Sequence, residues 1–166
     1  MMTLEPPRGQ GADATDSDNW RAIGLSRGGL SRFVGTAQAA LGMRGEVSVL
    51  LAGDRTLRRL NREFRGKDKA TDVLSFPAAD EIADEFAGDL AISLDTARRQ
   101  AAAHGHTLRD EVRILLLHGL LHLDGMDHET DQGEMAAKEA ELRLRLRLPN
   151  SLIARVTKGR KSGAAV

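Results

Sequence analysis

The stretch HGLLHLDGMDH, residues 118–128, sets three histidines and two glycines within eleven positions. On a helix, His118 and His122 project from one face about a turn apart, close enough to share one metal ion. Gly125 can adopt the left-handed conformation that ends a helix and turns the chain, which would return His128 toward the pair. Two histidines four apart on an apolar helix are more often structural than metal-binding. A third one after a glycine turn shifts the balance toward one ion held by three imidazoles with a fourth position open, the arrangement of a catalytic zinc site. The cofactor expected is therefore zinc, one ion per chain, with His118, His122 and His128 as ligands.

Outward from this stretch, Thr107 with Asp110 three residues later resembles a capping box that starts the histidine-bearing helix. His104 and His106 flank Gly105 in the preceding loop, where hydrogen bonding at a helix end is the expectation. Asp124 and Asp127 suit either of two roles, orienting imidazoles or making the turn. EVSVLLA (46–52), TDVLSFP (71–77) and GDLAIS (88–93) read as strands. Residues 30–41, 57–65 and 94–104 carry apolar residues at helical spacing. ELRLRLRLP alternates with period two, but Glu, Leu and Arg favour helix, and residues 130–142 are assigned to one. The expected fold is a single α+β domain, a small mixed sheet packed with helices, with the metal site on a central helix. The histidine spacing also matches the HExxHxxGxxH pattern of metzincin proteases. The position of their general-base Glu is held here by Gly119, which disfavours peptide hydrolysis by that route.

The 166 residues carry 24 Lys+Arg and 24 Asp+Glu, so any site for a polyanion must be local. Charge is segregated along the chain: Arg55, Arg58, Arg59, Arg62 and Arg65 crowd one short helix, whereas residues 78–95 carry acids and no base. Beside a metal site, arginines can neutralise phosphate and the charge that develops in phosphoryl transfer. Absence of Cys excludes disulfides, thiolate zinc sites and cysteine nucleophiles, and fits a reducing, cytoplasmic location. No stretch approaches a membrane span, and the first twenty residues hold no secretory signal. Five aromatics, Trp20, Phe33, Phe64, Phe76 and Phe86, with no Tyr, make a base-stacking platform unexpected. Residues 1–19 are expected to be a disordered extension, 20–148 the domain, and 149–166 a flexible basic tail.

HGLLHLDGMDH, LNREFRGKDKATDVLSFP (60–77) and GDLAIS, in this order and spacing, closely resemble the YbeY family of bacterial endoribonucleases. The resemblance spans about residues 30–148. It implies a zincin-like α+β domain, one zinc on His118, His122 and His128, and catalytic roles for Arg65 and His118. It further implies cleavage of single-stranded RNA in maturation of the 3′ end of small-subunit (16S) ribosomal RNA, and a part in ribosome biogenesis and quality control. Ribosomal RNA and the small subunit would be the partners. Met126 stands where the family usually has Tyr, and Ala70 where it often has Pro. Two alternatives remain open at this stage: a zincin-type metalloprotease, and a non-enzymatic ribosome-assembly factor with structural zinc. Asp72 is a candidate general base by sequence proximity alone.

Overall fold

A computed structural model describes residues 1–6, 15–150 and 152–155. Its elements run β1 (Met2–Leu4), α1 (Asp16–Ala22), α2 (Arg27–Leu41), β2 (Glu46–Ala52), α3 (Asp54–Arg65), β3 (Val73–Pro77), β4 (Phe86–Ser93), α4 (Leu94–His104), α5 (Leu108–Leu123) and α6 (Glu134–Arg145). The strands form one mixed sheet in the order β1-β2-β4-β3, with β1 and β4 parallel to β2 and β3 antiparallel to β4. The fold is α+β. No helix among the described residues is long and apolar enough to cross a membrane.

Period-two alternation gives the sheet two faces. Val47, Val49 and Leu51 of β2, with Leu90 and Ile92 of β4, are buried in the core that α2 and α5 complete. Leu74 of β3 and Ala91 of β4 point the other way and pack on Leu57 of α3. The acidic segment between β3 and β4 is a loop with a short 3-10 turn at Asp80–Ile82.

α5 is the central helix, packed on β3 and β4 and flanked by α2, α4 and α6. That enclosure explains its near-continuous apolar sequence, with Leu115, Leu116, Leu120 and Leu121 fully buried. Thr107 caps it, its side chain accepting from the Asp110 N–H, while the Asp110 carboxylate turns to Arg113 instead of closing the box. Gly119 faces the sheet. A Cβ there would stand 2.7 Å from Leu90 Cδ2 and 3.4 Å from Ser75 Oγ, so its absence lets the helix settle on β3 and β4. The Ser75 hydroxyl donates to the Gly119 carbonyl at 3.3 Å. The glycine that replaces a protease acid thus has a packing reason.

The alternating ELRLRLRLP stretch is helical as far as Arg145. Leu142 and Leu146 are buried while Leu144 between them is 68% exposed, the signature of a 3.6-residue period.

Both termini depart from expectation. Residues 1–19 are not a disordered extension throughout: Met2–Leu4 pairs in parallel with β2, burying Met2 and Leu4, and the Glu5 carboxylate accepts from the Thr56 hydroxyl. Three residues are too short for periodicity to reveal a strand, and it is the exposed edge of β2 that selects it. Asp16–Ala22 is helical and capped by a Thr15–Asp18 box, with Trp20 buried. Residues 7–14 lie outside the described residues. The tail is likewise not wholly flexible, because residues 152–155 form a helical turn with Ile153 buried. Residues 151 and 156–166 lie outside the described residues. Deleting residues 1–5 should therefore cost about 3 kcal/mol, since two buried apolar side chains contribute roughly 1.5–3 each. The melting midpoint should fall by several degrees, and a melting curve superimposable on that of the intact chain would contradict the packing of β1.

Candidate metal centre and its cleft

α5 carries His118 and His122 on one face, one turn apart. The helix ends at Leu123, and Gly125, at φ 91°, turns the chain so that His128 comes back to them. The three ring centroids form a near-regular triangle with sides of 4.8, 5.3 and 5.5 Å. One nitrogen from each ring lies within 4.8 Å of the other two. His118 Nε2 and His122 Nε2 are 3.2 Å apart. A tetrahedral ion with bonds of about 2.0–2.1 Å would hold two such nitrogens about 3.3 Å apart.

The surroundings prepare the rings to give lone pairs. His118 Nδ1 lies 2.8 Å from Glu139 Oε2, both groups being buried. Donation from Nδ1–H to this carboxylate selects the tautomer whose Nε2 is bare. Burial, then the neighbouring rings of His118 and His128, push the His122 imidazole below its ordinary value and keep it neutral. His128 Nδ1 is buried with no partner among the described residues. Three converging imidazoles, a near-tetrahedral edge between two of them and an unpartnered buried nitrogen on the third fit a single metal ion.

Beside the triad lies a cleft of about 610 Å³ whose walls include Arg65, Asp72, Ser75, His118, His122, Asp127, His128 and Arg155. Arg65 is the last residue of α3, followed by Gly66 in the left-handed conformation. Arg58 and Arg62 are engaged with Asp68, whereas Arg65 makes no ion pair among the described residues. The cleft thus brings Arg65 and the three histidines together, though they are distant in sequence. Asp72 is otherwise employed, accepting from the Val73 N–H and from Gln100. Asp127 accepts from the Glu129 N–H in the turn, which favours the turn role. His106 meets the expectation of helix-end bonding, its Nε2 lying 2.7 Å from Glu111 Oε2. His104 stacks on it and reaches the cleft.

Two buried carboxylates are the residues that sequence reasoning missed. Glu139 holds His118 with one oxygen and accepts from the Ile153 N–H with the other. Glu111 accepts from Arg155 at 2.9 Å as well as facing His106. Together they tie the turn at 152–155 to the helix that carries His118 and His122. A signal existed: Glu139 stands between Met135 and Leu142 on the buried stripe of α6, where an acid has no place without a partner. Glu139→Ala should lower metal affinity by roughly 10–100-fold, because the imidazole loses the partner that fixes its orientation. Competition against a chelator measures this, and an affinity equal to that of the unsubstituted chain would remove Glu139 from the site.

A buried helix offering two imidazoles, a glycine turn delivering a third, and an open cleft beside them make up the arrangement of single-metal hydrolases. The family model described as Endoribonuclease YbeY matches residues 27–147. Endoribonuclease YbeY of Koribacter versatilis (strain Ellin345) is 57% identical over 144 residues, covering 87% of this chain and 93% of its own. Its namesake in Solibacter usitatus (strain Ellin6076) is 50% identical over 132 residues, 80% of this chain and 87% of its own. The solution structure of TM1509 from Thermotoga maritima is 27% identical with a TM-score of 0.49 and covers 83% of each chain. This chain belongs to the YbeY endoribonuclease family.

Proposed function

We propose that this chain is a zinc-dependent endoribonuclease specific for single-stranded RNA, and that it works in the cytoplasm on the 3′ end of small-subunit ribosomal RNA during ribosome biogenesis and quality control. The observation that carries the reading is the convergence of three imidazoles and a guanidinium without an ion pair among the described residues on a single cleft. Imidazole donors suit zinc among the divalent ions, and His118, His122 and His128 would hold it. Bound there, zinc supplies a Lewis acid that polarises phosphoryl oxygen and brings the ionisation of water near neutrality.

The protein's own groups do the rest. Glu139 and the wall at 152–155 keep His118 in one orientation. The Arg65 fork meets the phosphoryl oxygens and offsets the charge that grows on them.

The test is cleavage of a single-stranded oligoribonucleotide, its duplex and an unstructured peptide by one zinc-loaded preparation. The expected result is scission of the single strand alone, abolished by a chelator and weakened steeply by salt, because phosphate contacts release counterions. Peptide cleavage would favour the protease reading. Zinc retention with no cleavage of any substrate would favour an assembly factor.

A further inference from the structure

The ring of Phe64 is 67% exposed on the last turn of α3, immediately before Arg65. Single exposed apolar side chains are ordinary, so exposure alone assigns nothing. Three further observations set this one apart. First, the ring is supported. Its centroid lies 5.4 Å from that of Phe76 at an interplanar angle of 63°, an edge-on contact that holds its orientation and leaves much of its surface to solvent. Second, its place is tied to the cleft. β3 alternates, with Val73 and Ser75 lining the metal cleft on one face while Leu74 and Phe76 turn to α3 on the other. β3 is also the outer strand of the sheet, so no further strand separates the two sides of its edge. Third, the segment that follows the ring carries cations, and its one acid, Asp68, is already paired with Arg58 and Arg62. Arg65 follows it, and Lys67 and Lys69 come just beyond the helix with no ion pair among the described residues.

A flat apolar surface that the chain joins directly to Arg65 of the cleft, with further cations just beyond, matches one ligand chemistry. That is an unpaired nucleobase carried on a phosphodiester backbone. An apolar protein partner would need a broader patch than two rings, and Phe64 is the one large apolar side chain of α3 and β3 that is strongly exposed among the described residues. We propose that Phe64, backed by Phe76, is a stacking platform for an unpaired base of the RNA whose phosphate sits at Arg65. The proposal rests on the reading of the chain as a ribonuclease and adds a subsite to it. It also reverses the expectation from composition: a low aromatic count argues against an extended platform, but a single base needs one supported ring.

The experiment follows binding of a fluorescently labelled single-stranded oligoribonucleotide by anisotropy, with zinc-loaded protein kept cold to slow cleavage. Phe64→Ala should weaken binding on the order of tenfold, the scale of one lost base stack, with the melting midpoint nearly unchanged. Phe64→Trp should bind as the unsubstituted chain does, and its indole emission should be quenched when the RNA is added. Trp20, the sole native tryptophan, is buried at 4% exposure and should report no quenching in the unsubstituted chain. Phe64→Leu keeps an apolar contact without a π face and should bind as weakly as the alanine variant. Duplex RNA should not distinguish the variants. Unchanged affinity for Phe64→Ala, full recovery by Leu, or RNA binding without quenching in Phe64→Trp would each overturn the platform while leaving the ribonuclease reading intact. If the unsubstituted chain neither binds nor cuts the oligonucleotide, that reading falls and the platform falls with it.

Discussion

Alanine at His118, His122 or His128 should take the bound zinc from about one ion per chain to nearly none, because two remaining imidazoles hold the metal weakly. RNA cleavage should vanish with it in all three. The variants should separate in stability. His118 is 6% exposed and is the donor to Glu139, itself 1% exposed, so His118→Ala also leaves a buried carboxylate without that partner. Breaking such a pair from one side costs about 3 kcal/mol or more, and the melting midpoint of this variant should fall furthest. His122 and His128 are less enclosed, and their removal relieves crowding among three rings, so their apo forms should melt close to the apo form of the unsubstituted chain. Zinc content by metal analysis and melting by circular dichroism check both halves. Full occupancy in any one variant would strike that residue from the ligand set.

Arg65→Ala should leave zinc content and fold intact and lower RNA cleavage by roughly a hundredfold to a thousandfold, the usual scale for one donor aimed at developing charge. The position makes the variant clean. Arg65 is exposed at the end of α3, makes no ion pair among the described residues, and reaches the cleft from beyond the core, so its loss should change stability by no more than about 0.5 kcal/mol. Arg65→Lys should recover only part of the rate, since a point charge cannot reproduce a two-pronged contact with phosphate. Cleavage kinetics alongside zinc content decide the matter. An alanine variant as active as its parent places Arg65 outside the chemistry, and one that loses zinc makes it a structural residue.

Much of the architecture could be read from local pattern. EVSVLLA reads as β2 because it is rich in β-branched residues and ends at a glycine, and α5 reads as a helix that starts at the Thr107 cap, carries histidines four apart and stops by Gly125. The convergence of the three histidines was legible for the same reason: His118 and His122 lie on one helical turn, and Gly125, in the left-handed conformation, turns the chain back. Each of these rests on contacts within a few positions. The ends of the elements were less legible. The strand at 71–77 begins two residues later and that at 88–93 two residues earlier, since it is the register against a neighbour that ends a strand.

What lay beyond reach joins residues far apart. Met2–Leu4 becomes a strand because β2 offers an unpaired edge, and nothing in three residues announces it. Glu139 meets His118 across 21 positions and Arg155 meets Glu111 across 44, so the acids that hold the site are invisible to spacing. The sequence by itself determined the helix that bears the histidines, the turn that brings the third one back, and the local excess of cations near Arg65, all properties of short-range geometry and composition. Only the tertiary structure decided that Gly119 lets that helix press on the sheet, that two buried carboxylates brace it, and that Arg65 and the triad share one cleft. Those outcomes depend on close packing between distant segments, where one missing Cβ or one buried charge is settled by neighbours that a linear pattern does not name.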